Sequence, residues 1–108
     1  MHRILGPGLL ESAYQTCLYR ELEIRGIPFT KQVPVSIDYK GILVENAYRI
    51  DVVISDLVVV ELKSMDCFEP VHEAQLFTYL RLSNRWLGLL INFNVPVLKE
   101  GIMRRVLG

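Results

Sequence analysis

The chain has 108 residues, 51% of them apolar and 22% charged, and its 12 lysines and arginines are balanced by 12 aspartates and glutamates. That length predicts a single domain with a modest core, and the composition excludes a disordered, collagen-like or mucin-like chain. Balanced charge excludes a general attraction to polyanions, so a nucleic-acid partner has to be held by a local patch or through bound cations.

The longest apolar runs, at 57–60 and 87–91, fall far short of the roughly 18–20 residues that span a bilayer. No export leader is read at the N-terminus. Cys17 and Cys67 stand in unrelated contexts without a CxxC spacing. The expectation is a cytoplasmic protein with no membrane contact and two buried free thiols.

Residues 7–25 read as a helix: Pro7 suits the first turn, helix formers fill the body, and Gly26 with Pro28 ends it. At about 100° per residue, Leu10, Ala13, Tyr14, Cys17, Leu18, Leu22 and Ile24 share one apolar arc. Glu11 falls inside that arc, and a carboxylate among core positions is costly unless something pairs with it. From Phe29 the period changes to two. Three antiparallel strands follow, separated by turns at Lys40 and Gly41 and at Ser55 and Asp56. Residues 69–82 return to helix with Pro70 in the first turn, and apolar side chains nearly all round the axis predict burial on two sides. Residues 86–95 read as a strand covered on both faces and ended by Pro96, and 101–107 as a weak final strand or short helix. The order is αβββαβ with a tail, an α/β fold with a central mixed sheet flanked by helices. No repeat or linker divides it.

Along the second strand, Tyr48, Ile50, Val52 and Ile54 are expected on one face and Arg49, Asp51 and Val53 on the other. Along the third, Val58, Val60 and Leu62 face the core, with Val59, Glu61 and Lys63 opposite. Asp51 and Glu61 face each other only if the numbers of paired residues add to an even total. A two-residue turn at Ser55 and Asp56 gives an odd total and separates them, whereas pairing Val53 with Val59 requires a three-residue connection or a bulge. Facing carboxylates repel. A hard divalent cation with oxygen ligands, such as Mg²⁺, relieves that repulsion and keeps several waters. Lys63 would lie beside it, where an ammonium can orient or deprotonate an attacking water.

The R-I-D at 49–51, nine residues, and the E-L-K at 61–63 together resemble the signature of the PD-(D/E)XK nuclease superfamily, whose shared core runs αβββαβ. LGPGLLESAY (5–14), YRIDVVI (48–54), VVELKS (59–64), HEAQLFTYL (72–80) and LGLLINFNVP (87–96) together resemble the GxxExxY protein family, named for residues matched here by Gly8, Glu11 and Tyr14. The resemblance covers essentially the whole chain, and five ordered blocks are far more specific than a lone ExK. Members of that family usually carry a longer stretch before the first block, so the chain reads either as a shortened member or as one whose start is misplaced.

The resemblance implies a restriction-endonuclease-like fold and Mg²⁺-dependent hydrolysis of phosphodiester bonds in nucleic acid, with Mn²⁺ as a substitute and DNA ahead of RNA. It implies Asp51 and Glu61 as metal ligands, the Leu62 carbonyl as a further contact and Lys63 as the catalytic lysine. Glu11 matches an acidic residue that completes the metal shell in many members. Gln75 and Tyr79 match a Q-x-x-x-Y element that lies beside the active site in nucleases of the helicase-nuclease type. The helical projection agrees, placing His72, Gln75 and Tyr79 in one narrow polar sector.

Plainer readings stand beside these. Without the other blocks, Asp51, Glu61 and Lys63 would be an ordinary exposed sheet face. Glu11 could serve the helix dipole, and Gln75 and Tyr79 could be hydrogen bonders in a buried seam. His72 is read as structural: position 76 is Leu76, so the second histidine of a zinc protease is missing. Arg81, Arg85, Arg104 and Arg105 form the available basic patch, and Tyr14, Phe77 and Trp86 are read as core. Two further alternatives are a non-catalytic nucleic-acid-binding or assembly module that retains the nuclease fold, and a homodimer whose groove forms on assembly.

Overall fold

A computed structural model describes residues 10–107. Its elements are α1 (Glu11–Ile24), β1 (Phe29–Tyr39), β2 (Ile42–Ile54), β3 (Val58–Lys63), α2 (Pro70–Leu82), β4 (Leu87–Asn92), a 3₁₀ turn (Leu98–Gly101) and β5 (Ile102–Val106). The strands form one sheet in the order β1-β2-β3-β4-β5. The β3–β4 pair is parallel, bridged by α2, and the other pairs are antiparallel. The tail is thus a strand, the second of the two forms its sequence allowed. Pro7 and Gly8, placed at the start of the first helix and in the family block, lie outside the described residues.

Local chemistry fixes the element ends. Both helices close in the Schellman pattern, in which a left-handed residue lets two amide groups reach back to the last turn. At α1 this residue is Gly26, with φ +67°, and Ile27 N–H bonds Leu22 C=O at 3.0 Å. At α2 it is Asn84, with φ +56°, and Arg85 N–H bonds Leu80 C=O at 2.9 Å. A capping box opens α2: the Glu69 side chain accepts the His72 amide, and His72 Nδ1 accepts the Glu69 N–H at 2.9 Å. His72 is structural, as expected.

Each face of the sheet carries one helix and one apolar cluster. Leu76 and Leu80 of α2 pack with Val35, Ile50, Val53, Val59 and Leu90. Tyr14 and Leu22 of α1 pack with Val52, Val60, Leu62 and Phe93 on the other face. Tyr14 stacks on Phe93 with ring centroids 4.5 Å apart. The β2–β3 register pairs Val52 with Val60, Val53 with Val59 and Ile54 with Val58, so residues 55–57 form a three-residue connection and the even register is the one present. Ser55 and Asp56 take positive φ to make that turn, and Arg85 braces it through an ion pair with Asp56 at 2.5 Å.

Several expectations are corrected. The alternation along β2 does not run unbroken: Tyr48 and Ile50 side with α2, whereas Val52 and Ile54 side with α1. The break falls at Asp51, which is missing from the β1–β2 register together with its opposite number Gln32, whose φ is +53°. Helix α2 buries one face, through Leu76 and Leu80, and leaves Val71 and Leu82 exposed, because among the described residues it packs chiefly on the sheet. Trp86, at 54% exposure, is not core, and Leu10 and Ile24 at the ends of α1 are exposed. Cys67 is exposed and Cys17 only half-buried, although both are free. The basic patch is partly spent, since Arg85 pairs with Asp56 and Arg105 with Glu73 at 2.7 Å. Among the described residues no helix is long and apolar enough to cross a membrane.

Candidate active site

Beyond the Val52–Val60 pair the two central strands leave the ladder register, and side chains bridge them instead. The Asp51 N–H donates to Glu61 Oε1 at 3.1 Å, and the Leu62 N–H donates to Asp51 Oδ2 at 2.8 Å. Each carboxylate therefore bonds the main chain of the strand opposite, which holds the two acids side by side. Glu61 is buried and Asp51 half-buried.

Burial, followed by the neighbouring Asp51 charge, raises the Glu61 carboxyl from the ordinary 4.5 to about 8; the Asp51 amide and Lys63 pull the other way. Glu11, half-buried in the first turn of α1, is raised first by burial, with Lys63 lowering and Asp51 raising it. Lys63 thus acts electrostatically on both Glu11 and Glu61, but burial outweighs it at each, and both carboxyls stay raised. Tyr79 stands on the α2 side, edge-on to Tyr48 with centroids 5.4 Å apart. Its phenol is pushed up to about 12 by burial and then by the charges of Glu61 and Asp51, so it stays a neutral O–H donor. Gln75, one turn earlier on α2, is exposed to solvent. The structure therefore interlocks Asp51 and Glu61 where β2 and β3 leave their ladder and sets Glu11, Lys63 and Tyr79 within electrostatic reach of them, whereas Gln75 lies on the exposed side of α2. Leu62 contributes its N–H to Asp51 and buries its side chain against α1.

Two supporting residues escaped the sequence reading. Asn92, buried on β4 level with Lys63, accepts the Met65 N–H at 3.1 Å and donates to the Met65 C=O at 2.8 Å, pinning the chain just past the lysine. An asparagine inside an apolar strand was the available signal, because a buried amide needs partners. Tyr19 on α1 donates its hydroxyl to the Asp51 C=O at 3.0 Å. Nothing in the helical period distinguishes that tyrosine from any other half-buried one.

The donor set is all oxygen, which suits a hard divalent cation. Among the described residues no three His, Cys, Asp or Glu side chains form a ready-made cation cluster, so the core of the site is the Asp51–Glu61 pair. A raised Glu61 beside Asp51 is what an acidic pair shows when a proton relieves its repulsion. A cation would relieve the same repulsion, and to that extent the residues fit one.

A family model for the PD-(D/E)XK nuclease superfamily matches residues 1–106. The chain belongs to the PD-(D/E)XK nuclease superfamily. Neither a curated protein nor a solved structure gives a match. The PD-(D/E)XK fold accounts for the mixed sheet with a helix on each face, and the superfamily as a whole works on nucleic acid and generally uses divalent metals.

Proposed function

We propose that this PD-(D/E)XK protein is a Mg²⁺-dependent nuclease of the GxxExxY family, hydrolysing phosphodiester bonds in nucleic acid, DNA ahead of RNA, in the cytoplasm. The observation that carries this reading is the interlocked Asp51–Glu61 pair beside Lys63. In it, Asp51, Glu61 and the Leu62 carbonyl would hold Mg²⁺, or Mn²⁺ in its place, with Glu11 completing the shell. When bound, the cation would polarise the scissile phosphate and acidify the attacking water. Lys63 orients that water and offsets charge developing on the phosphate oxygens. Glu61 would have to be ionised to serve as a ligand, so binding of the cation would be linked to release of its proton. Tyr79 offers its O–H to a phosphate oxygen at the α2 edge, and Gln75 extends that edge toward the substrate.

The test is a panel of DNA and RNA substrates with Mg²⁺, Mn²⁺ and chelator. Cleavage requiring the metal, and reduced at least about a hundredfold in Asp51→Ala and in Lys63→Ala, is expected. Activity surviving both substitutions overturns the assignment. The clasp itself favours a second reading, because carboxylates bonded to opposing amides can hold β2 and β3 together without any metal. A non-catalytic binding or assembly module would then show no difference between wild type and Glu61→Ala in a calorimetric Mn²⁺ titration. The exposed Val71, Leu82 and Trp86 support assembly as a homodimer, which sedimentation over a concentration series tests.

A further inference from the structure

We infer that Tyr19 is a positioning residue that aims the Asp51 carboxylate by holding its main chain from the opposite side. Asp51 is skipped by the ladder on one side and lies just past the end of the ladder on the other. The β1–β2 register passes from Lys31–Val52 to Val33–Ile50, and the β2–β3 register stops at Val52–Val60. Side chains take up its main-chain groups instead: Glu61 accepts its N–H, and the Tyr19 hydroxyl donates to its C=O. The two peptide planes that flank Asp51 are therefore set by one residue inside the site and one outside it.

Tyr19 is suited to this because its ring is fixed independently of the hydroxyl. It stacks on Phe29, with centroids 5.5 Å apart and planes 9° from parallel, and the Lys31 ammonium lies 5.5 Å from its centroid. The Gln32 amide reaches both the Tyr19 hydroxyl and Gln15 Oε1 at 3.4 Å. Gln32 is also the residue whose φ of +53° breaks the β1 side of the ladder opposite Asp51. Such a backbone persists only where its surroundings over-determine it. The irregularity at Gln32 and the hydroxyl of Tyr19 are thus two halves of one device: the first releases Asp51 from regular pairing, and the second fixes it in the released position. Without the hydroxyl, the Asp51 C=O loses that partner and both clasp bonds, Asp51 to Glu61 and Leu62 to Asp51, loosen together.

This goes beyond the proposed nuclease reading and rests on it only where metal is concerned. The experiment compares wild type with Tyr19→Phe, which keeps the ring stack, and with Phe29→Leu, which weakens the stack and keeps the hydroxyl. Amide hydrogen exchange in the metal-free protein reads the clasp, and calorimetric Mn²⁺ titration reads the site. The amides of Asp51 and Leu62 should exchange about tenfold faster in Tyr19→Phe, with those of Leu80 and Leu90 unchanged. Mn²⁺ should bind about tenfold more weakly in that variant, as when a supporting partner of a ligand is lost. Unchanged exchange at Asp51 and Leu62 overturns the inference, as does an equal acceleration in Phe29→Leu or one spread over Leu80 and Leu90. A wild type that binds no Mn²⁺ yet shows the selective exchange effect upholds Tyr19 and overturns the metal-holding role of the pair instead.

Discussion

The two ends of β2 are alike in composition and opposite in surroundings. At its start Ile42, Leu43 and Val44 are 67%, 58% and 44% exposed, whereas Ile50, Val52 and Val53 near its end are almost fully buried. Strand β1 pairs with both ends, but β3 joins only at residues 52–54. Burial in this strand is therefore decided by whether a third strand and a helix arrive, which no local pattern encodes. The boundary between the two regimes is also where polar chemistry enters: Asp51 lies beside the last pair of the β2–β3 ladder, close enough to the core to be partly dehydrated and far enough along to be free of regular pairing.

Truncation in the buried regime tests this contrast most strongly. Leu80→Ala, under the buried end of the sheet, should cost about 2–5 kcal/mol in denaturant unfolding. A loss below about 1 kcal/mol would mean that the α2 cluster is not a core of this fold.

A second test concerns pH. The Glu61 carboxyl is raised from 4.5 to about 8 in the folded chain, so the folded state holds a proton across that window that the unfolded state has released. Its contribution is fully present below about 4.5 and is lost as pH rises toward about 8. Metal-free wild type should become less stable over that interval by chemical denaturation, and Glu61→Gln should flatten the slope. Mn²⁺ affinity should move oppositely and rise with pH, because the cation displaces the proton. A wild-type stability that climbs from pH 5 to 8 would contradict the buried, protonated acid.

The smallest effect is expected at the other end of β2. Leu43→Ser should change stability by no more than about 0.5 kcal/mol. A loss comparable with Leu80→Ala would show that the hairpin tip is covered in solution and erase the contrast.

Much of this arrangement was legible from residue types alone. The even register that lets Asp51 and Glu61 meet was one of the two that the sequence left open, and Glu11 stood out as a carboxylate on an apolar arc. Element order followed from changes of period, and helix ends from Gly26 and Pro70. The rest is decided by contacts between distant segments. A period-two pattern continues smoothly through Tyr48, Ile50, Val52 and Ile54, so it cannot show that the chain turns over at Asp51. The apolar circumference of α2 says that it could be buried on two sides, not that among the described residues the sheet is its main neighbour. Trp86 looks like core by its size, yet it sits in the connection before β4 and is more than half exposed.

The length of the turn between β2 and β3 has a consequence for how this protein can diverge. Exposed turns usually absorb insertions and deletions without harm, and the side chains of Ser55, Asp56 and Leu57 are exposed. One residue gained or lost there, however, would carry Glu61 and Lys63 to the α1 side and bring Leu62 to face Asp51. The turn behaves as a reading frame: its letters are free to change, provided the backbone can still take positive φ, while its count is not. A change of turn length by one residue should therefore separate Asp51 from Glu61 unless a bulge restores the parity.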